Sequence, residues 1–141
     1  MENRTTPDNI THLKENEVFV FGSNLAGRHG AGAAKTARRF GAEYGVWKGM
    51  SGMTYAIPTK DIEVRNALPL SHISAYVGEF INFARVSPQY RFLVTEIGCG
   101  LSGYSPADIA PMFFEATWSS NVCLPERFWN VLNEMAIERS K

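Results

Sequence analysis

Two segments of the chain concentrate residues that can hold an anion through the main chain alone. The first runs from Gly22 through Ser23 and Asn24 to Gly30-Ala31-Gly32, with a further glycine at Gly27. The second is Gly98-Cys99-Gly100-Leu101-Ser102-Gly103, followed by Tyr104. Glycine allows a backbone to approach phosphate oxygens closely and to take positive φ where a turn demands it. A helix that begins just after such a loop adds unpaired N–H groups and the positive end of its dipole. One such loop is ordinary turn chemistry. Two of them, each between a strand and a helix, could pinch a diphosphate from both sides.

The flanking sequence supplies those elements. Val18-Phe19-Val20-Phe21, closed by Gly22, reads as a buried strand, and Ala31–Phe40 favours helix until Gly41 and Gly45 stop it. Met53–Pro58 predicts a second strand that leads into Thr59-Lys60-Asp61. Ser71 is a plausible N-cap for a helix whose apolar face is Ile73, Tyr76, Val77, Phe80, Ile81 and Ala84. Arg91–Ile97 predicts a third strand, ahead of the second glycine-rich segment. Ser105-Pro106-Ala107-Asp108 then opens another helix, with serine as N-cap, proline at the first helical position and an acid in the first turn. Asn121–Leu124 is a last short strand, and Pro125 starts a helix to about Glu138. Strands that alternate with helices imply a three-layer α/β/α sandwich around a mixed, mostly parallel sheet. Ligands of such sheets bind at the carboxyl ends of the strands, where both glycine-rich segments fall.

Bulk properties restrict the ligand further. The 141 residues fit one domain, 1–141, with a polar amino-terminal segment over 1–16. Fourteen basic residues balance fourteen acidic ones, so no broad field draws in polymeric nucleic acid or an anionic membrane. A phosphate must therefore be held by local geometry. Cys99 and Cys123 cannot make a disulfide framework, and His12, His29 and His72 are scattered, so no metal and no cofactor is expected. The polar start lacks the apolar stretch of a signal peptide, and no run reaches membrane-span length, so a cytoplasmic setting is expected. The first loop lacks the Gly-Lys-Ser/Thr of a P-loop, and GAGAAK lacks the third glycine of a dinucleotide fingerprint. The residues by themselves lead to a nucleotide-like phosphate ligand and no further.

From Val18 to about Phe114 the sequence resembles the macrodomain superfamily of ADP-ribose-binding modules. The features that carry the resemblance are VFVF, Gly22-Ser23-Asn24 and GRHGAGAAK, then TEIGCGLSGYSPADIAPMF. GAGAAKTARRFG, TYAIPTKD and IGCGL resemble the branch of terminal ADP-ribose glycohydrolases, which remove ADP-ribose from acidic side chains. VFVFGSN with GRHGAGAAK is also similar to bacterial and phage macrodomain-like proteins. The resemblance implies a macrodomain-like fold and an ADP-ribose-like nucleotide, or an ADP-ribosylated protein, as partner.

It also implies roles for particular residues. Asn24 stands where the family's loop asparagine bonds a ribose hydroxyl. Gly30, Ala31 and Gly32 match the first phosphate turn, and Gly98, Cys99, Gly100, Leu101, Ser102 and Gly103 match the second. Tyr104 is placed to stack on or cover the distal ribose, with a core aromatic as the plain alternative. Lys60 matches the branch's nucleophile, which attacks the anomeric carbon; a partly desolvated lysine can lose its proton and do this. The plain alternative is a solvated lysine at a strand end. One departure is chemical. The branch has an aspartate after Ile-Gly-Cys-Gly-Leu, where this chain has Ser102, and a hydroxyl cannot take up a proton at neutral pH as a carboxylate does. Asp61, Asp108 and His29 read more simply as local structure. Three readings follow: a binding module, a hydrolase of ADP-ribosyl linkages, and a Rossmann-like nucleotide enzyme outside the macrodomains. The last lacks its PGGxGT-type glycine motif here.

Overall fold

The computed structural model describes residues 3–140. Its organising element is β1 (Glu17–Asn24), whose side chains alternate between two apolar environments. Val18 and Val20 join a large cluster with Tyr55, Ile57, Phe92 and Val94, and Phe19 and Phe21 join a smaller one with Ala34, Ala37, Ala42 and Ala56. A strand with apolar side chains on both faces belongs in the middle of a sheet that is covered on both sides. β1 lies there, parallel to β3 (Thr54–Lys60) on one side and to β4 (Arg91–Val94) on the other. β5 (Val122–Cys123) extends the sheet in parallel beyond β4, and β2 (Gly49–Ser51) pairs antiparallel with β3. The order is β2-β3-β1-β4-β5, an α/β arrangement with a mixed, mostly parallel five-stranded sheet.

The large cluster is built against α2 (Leu70–Arg85), α3 (Pro106–Ile109) with the 3-10 segment Ala110–Trp118, and α4 (Glu126–Arg139). Ile73, Val77, Phe80, Ile81 and Ala84 of α2 are buried, which is the apolar face its spacing predicts. The small cluster is covered by α1 (Gly32–Ala37) and the 3-10 turn Arg38–Phe40. The polar amino-terminal segment is docked. Arg4 donates to the carbonyls of Ala116, Thr117, Ser119 and Val122 at 2.8–3.1 Å, and Thr5 bridges Leu124. It ties the amino-terminal segment to the end of the 3-10 segment and to the start of β5.

Several boundaries depart from the sequence expectation, each for a local reason. β1 runs through Gly22 to Asn24, since Gly22 and Ser23 pair with Ile57 and Pro58 of β3. β4 stops at Val94: Thr95 makes the last bond to β1 through its N–H and adds its Oγ1 on the same Val20 carbonyl, at 3.1 and 2.7 Å, and the chain then turns, with the Ile97 N–H donating to the Thr95 carbonyl at 2.7 Å. α1 ends at Ala37, three residues before the predicted end. α2 is capped at Pro69 rather than Ser71, with the Pro69 carbonyl accepting from His72 and Ile73 at 3.0 and 3.2 Å. The helix after Ser105 has one α-helical turn before it tightens to 3-10, where Pro111 has no N–H to donate. β2 has no counterpart in the sequence reading.

Candidate functional site

Because β1, β3 and β4 are parallel, their carboxyl ends lie on one rim of the sheet, and both glycine-rich loops leave from it. The roots of the loops are in near contact. A Cβ added at Gly22 would meet Thr59 Oγ1 at 3.3 Å and the Gly98 nitrogen at 3.6 Å. Further out, a Cβ at Gly32 would lie 3.9 Å from Leu101 Cδ1, so the second loop reaches the start of α1. Between them opens a cleft of about 750 Å³. Gly22, Ser23, Asn24, Gly30, Ala31 and Gly32 line it from the first loop. Gly98, Cys99, Gly100, Leu101 and Ser102 line it from the second, and Lys60 lines it from the end of β3.

The first loop is braced by its own asparagine. Asn24 Nδ2 donates to the Arg28 carbonyl at 2.7 Å, and Oδ1 accepts from the Arg28 N–H at 3.0 Å. Ser23 Oγ donates to the Trp47 carbonyl at 2.6 Å. Both residues border the cleft, but these groups bind protein first. Asn24 thus closes a local side-chain-to-backbone ring, a habit of asparagine in loops. Gly27 is pressed against the turn at Gly45, whose N–H donates to the Gly27 carbonyl at 2.8 Å. His29 is fully buried beneath, with Nε2 3.0 Å from the Glu43 carbonyl and its ring edge-on to Phe21. It does not line the cleft.

The second loop is braced by hydroxyls. Ser102 Oγ donates to Thr59 Oγ1 at 3.0 Å, and Thr59 Oγ1 donates to the Ser23 carbonyl at 3.2 Å. This relay ties the loop to the ends of β3 and β1. Ser102, at the position where the aspartate was expected, is a tether. Gly98 (φ +73°) and Gly103 (φ +81°) supply the left-handed turns. Gly103 and Tyr104 fall outside the cleft lining. Tyr104 packs on the large core cluster and donates its hydroxyl to the Leu68 carbonyl at 2.7 Å. Cys99 is half-buried, and burial, with the Glu96 charge adding to it, pushes its thiol up to about 11. At neutral pH it is a thiol and not a nucleophilic thiolate.

The helices behind the loops are shorter than expected, six residues in α1 and four in α3. Their dipoles are correspondingly small, so the positive character of this rim comes chiefly from the loop amides and from side-chain charge. That charge is asymmetric. Arg28, Lys60 and Arg127 line the cleft, with Glu96 the only acidic residue in the lining among the described residues. Arg127 binds Glu96 through two short bonds of 2.7 and 2.6 Å, and this holds the Glu96 carboxyl below its ordinary range. Arg28 and Lys60 have no acidic partner among the described residues.

The carboxylates of Asp61 and Asp108 are occupied. Asp61 accepts from the N–H groups of Arg65 and Asn66 and from Asn66 Nδ2, and the Arg65 bond leads the causes that lower its pKa. It organises the turn that carries Val64 at φ +61° beside the cleft. Asp108 accepts from the Ser105 N–H and hydroxyl at 3.0 and 3.1 Å, the capping arrangement its position predicts. Arg28, Tyr44, Thr59, Val64, Glu96 and Arg127 are cleft residues that sequence reasoning did not select. Thr59 and Glu96 had a signal, as each stands at the end of a predicted strand. Tyr44 and Arg127 reach the cleft only through tertiary folding. Among the described residues no group of three or more His, Cys, Asp or Glu could hold a metal ion, and no helix is long and apolar enough to cross a membrane. No family model matches the chain, and neither does any curated protein or solved structure.

Proposed function

We propose that this cleft binds a nucleoside diphosphate sugar of the ADP-ribose class, with the diphosphate clasped between the two glycine-rich loops. The observation that carries the reading is the convergence of both loops on one cleft of about 750 Å³ at the carboxyl ends of parallel strands. Such a volume suits a ligand of this size. The cationic lining supports the same class: Arg28 and Lys60 have no acidic partners among the described residues, on a chain whose formal net charge is zero. In this reading the fold is a macrodomain-like three-layer sandwich, and the partner is the free nucleotide or a protein that carries it. Titration calorimetry with ADP-ribose, NAD and AMP tests the ligand. Saturable binding of ADP-ribose is expected, and its absence would end this reading.

Binding without turnover is favoured over hydrolysis by the state of the acids. Ser102 has no carboxylate, Asp61 and Asp108 are engaged in their own turns, and Glu96 is paired with Arg127. One observation favours the hydrolase as a second reading. Lys60 borders the cleft with its amine unpartnered among the described residues, where a nucleophile would stand. Incubation with an ADP-ribosylated glutamate substrate, beside Lys60→Ala, separates the two. Release by the native protein and none by the variant would move the assignment to hydrolase.

A further inference from the structure

The cleft also contains an aromatic ring with no structural task that accounts for its exposure. Tyr44 is 67% exposed and lines the cleft. Single exposed apolar residues are common and need no explanation. Trp118, Val86, Ile62 and Ile137 are of that kind, since none of them borders the cleft. Tyr44 differs because its backbone and one edge are fixed while most of the ring stays open.

The fixing comes from both sides. Its predecessor Glu43 contributes a carbonyl 3.0 Å from Nε2 of the fully buried His29. Its successor Gly45 donates its N–H to the Gly27 carbonyl at 2.8 Å. The approach there is so close that a Cβ on Gly27 would lie 2.5 Å from the Gly45 carbonyl carbon. The His29 ring meets Tyr44 edge to face, with centroids 6.3 Å apart and planes at 68°. The turn 43–45 is thereby clipped to the first glycine-rich loop, and Tyr44 is held at that wall of the cleft. A pre-positioned, solvent-facing ring beside an amide-lined cleft can take a planar base. Aromatic rings stack on one another in offset or edge-to-face geometry, and bases stack on tyrosine with little sequence preference.

We infer that Tyr44 is the stacking platform of a nucleobase subsite at the first-loop wall of the cleft, positioned by His29 and by the Gly27–Gly45 contact. The inference rests on the nucleotide reading above and deepens it by assigning the base end of the ligand. It also predicts that affinity depends on a flat π-face at this position and not on the phenol hydroxyl.

The test is ADP-ribose affinity, by calorimetry, for the native chain and for Tyr44→Phe, Tyr44→Leu and Tyr44→Ala, with a thermal melt of each. Stacking predicts that Phe stays within about threefold of native, while Leu and Ala lose roughly 10- to 100-fold. Melting midpoints should be unchanged, because the side chain is exposed. Native-level binding by Ala would overturn the subsite and leave the nucleotide reading standing. Retention by Leu would replace stacking with plain apolar contact, and a loss in Phe equal to that in Ala would assign the hydroxyl; either outcome overturns the platform. A lowered midpoint in Ala that matches its lost affinity would make Tyr44 a brace for the loop, again overturning it. If the native chain binds no ADP-ribose, the nucleotide reading fails and the subsite with it.

Discussion

The two loops that face each other across the cleft are held by different means. The first is fixed by a main-chain contact, where Gly27 lies on Gly45, helped by the Asn24 amide folded onto the Arg28 backbone and by the Ser23 hydroxyl on the Trp47 carbonyl. The second is fixed by side-chain hydroxyls, through Ser102, Thr59 and Tyr104. Backbone contact at van der Waals limits leaves no room for adjustment, whereas a hydroxyl can rotate and find another acceptor. The first loop should therefore be the brittle wall of the site and the second the tolerant one.

The largest effect should come from Gly27→Ala. The new Cβ meets three Gly45 backbone atoms at 2.5–2.7 Å, and φ is +68° there. Left-handed strain of about 1–2 kcal/mol and overpacking of about 1–3 kcal/mol together predict a loss of about 2–5 kcal/mol in urea unfolding. A loss below about 1 kcal/mol would show that the first loop yields as readily as the second. On the opposite wall, Thr59→Val removes the hydroxyl that donates to the Ser23 carbonyl and accepts from Ser102. About 1–2 kcal/mol is expected in the same assay, together with faster amide exchange at Ser102 and Gly103. Exchange that speeds up in the first loop instead would reverse the comparison.

Asp108→Ala tests the support behind the second loop. The Ser105 N–H and hydroxyl would lose their acceptor, and about 0.5–2 kcal/mol of stability should go with it. Arg127→Ala should have the smallest effect on stability, since the Glu96–Arg127 pair is partly solvent-exposed. Its signature is in pH. Glu96 has a folded pKa below its ordinary 4.5, chiefly through the Arg127 bond. The pair's contribution is therefore complete above 4.5 and is lost as pH falls through the lower folded value. Removing Arg127 should flatten that part of an acid denaturation curve and return Glu96 towards 4.5 in an NMR titration.

What could be read in the sequence divides along the same line as the loops. Local chemistry was legible: the Ser105–Asp108 cap, the apolar face of α2, and the glycine-rich segments at strand ends. Long-range contact was not. Gly22 looked like a strand terminator, yet it continues β1 because it pairs with Ile57 of β3. RFLVTEI read as one strand through Ile97, but Thr95 makes the last bond to β1 and the chain then turns, with the Ile97 N–H donating to the Thr95 carbonyl. β2 is three residues beginning with glycine and exists only by pairing with β3. The aromatic nearest the second loop in sequence, Tyr104, packs on the core, and the one in the cleft, Tyr44, arrives through the Gly27–Gly45 contact. The Glu96–Arg127 pair joins residues 31 positions apart, which no local pattern announces.

The most direct test of the account follows the backbone amides themselves while ADP-ribose is added to isotope-labelled protein. If a diphosphate is clasped between the loops, the N–H resonances of Gly30–Gly32 and of Gly98–Leu101 should move together and saturate at one ligand per chain. Movement confined to one loop, or none in either, would contradict it.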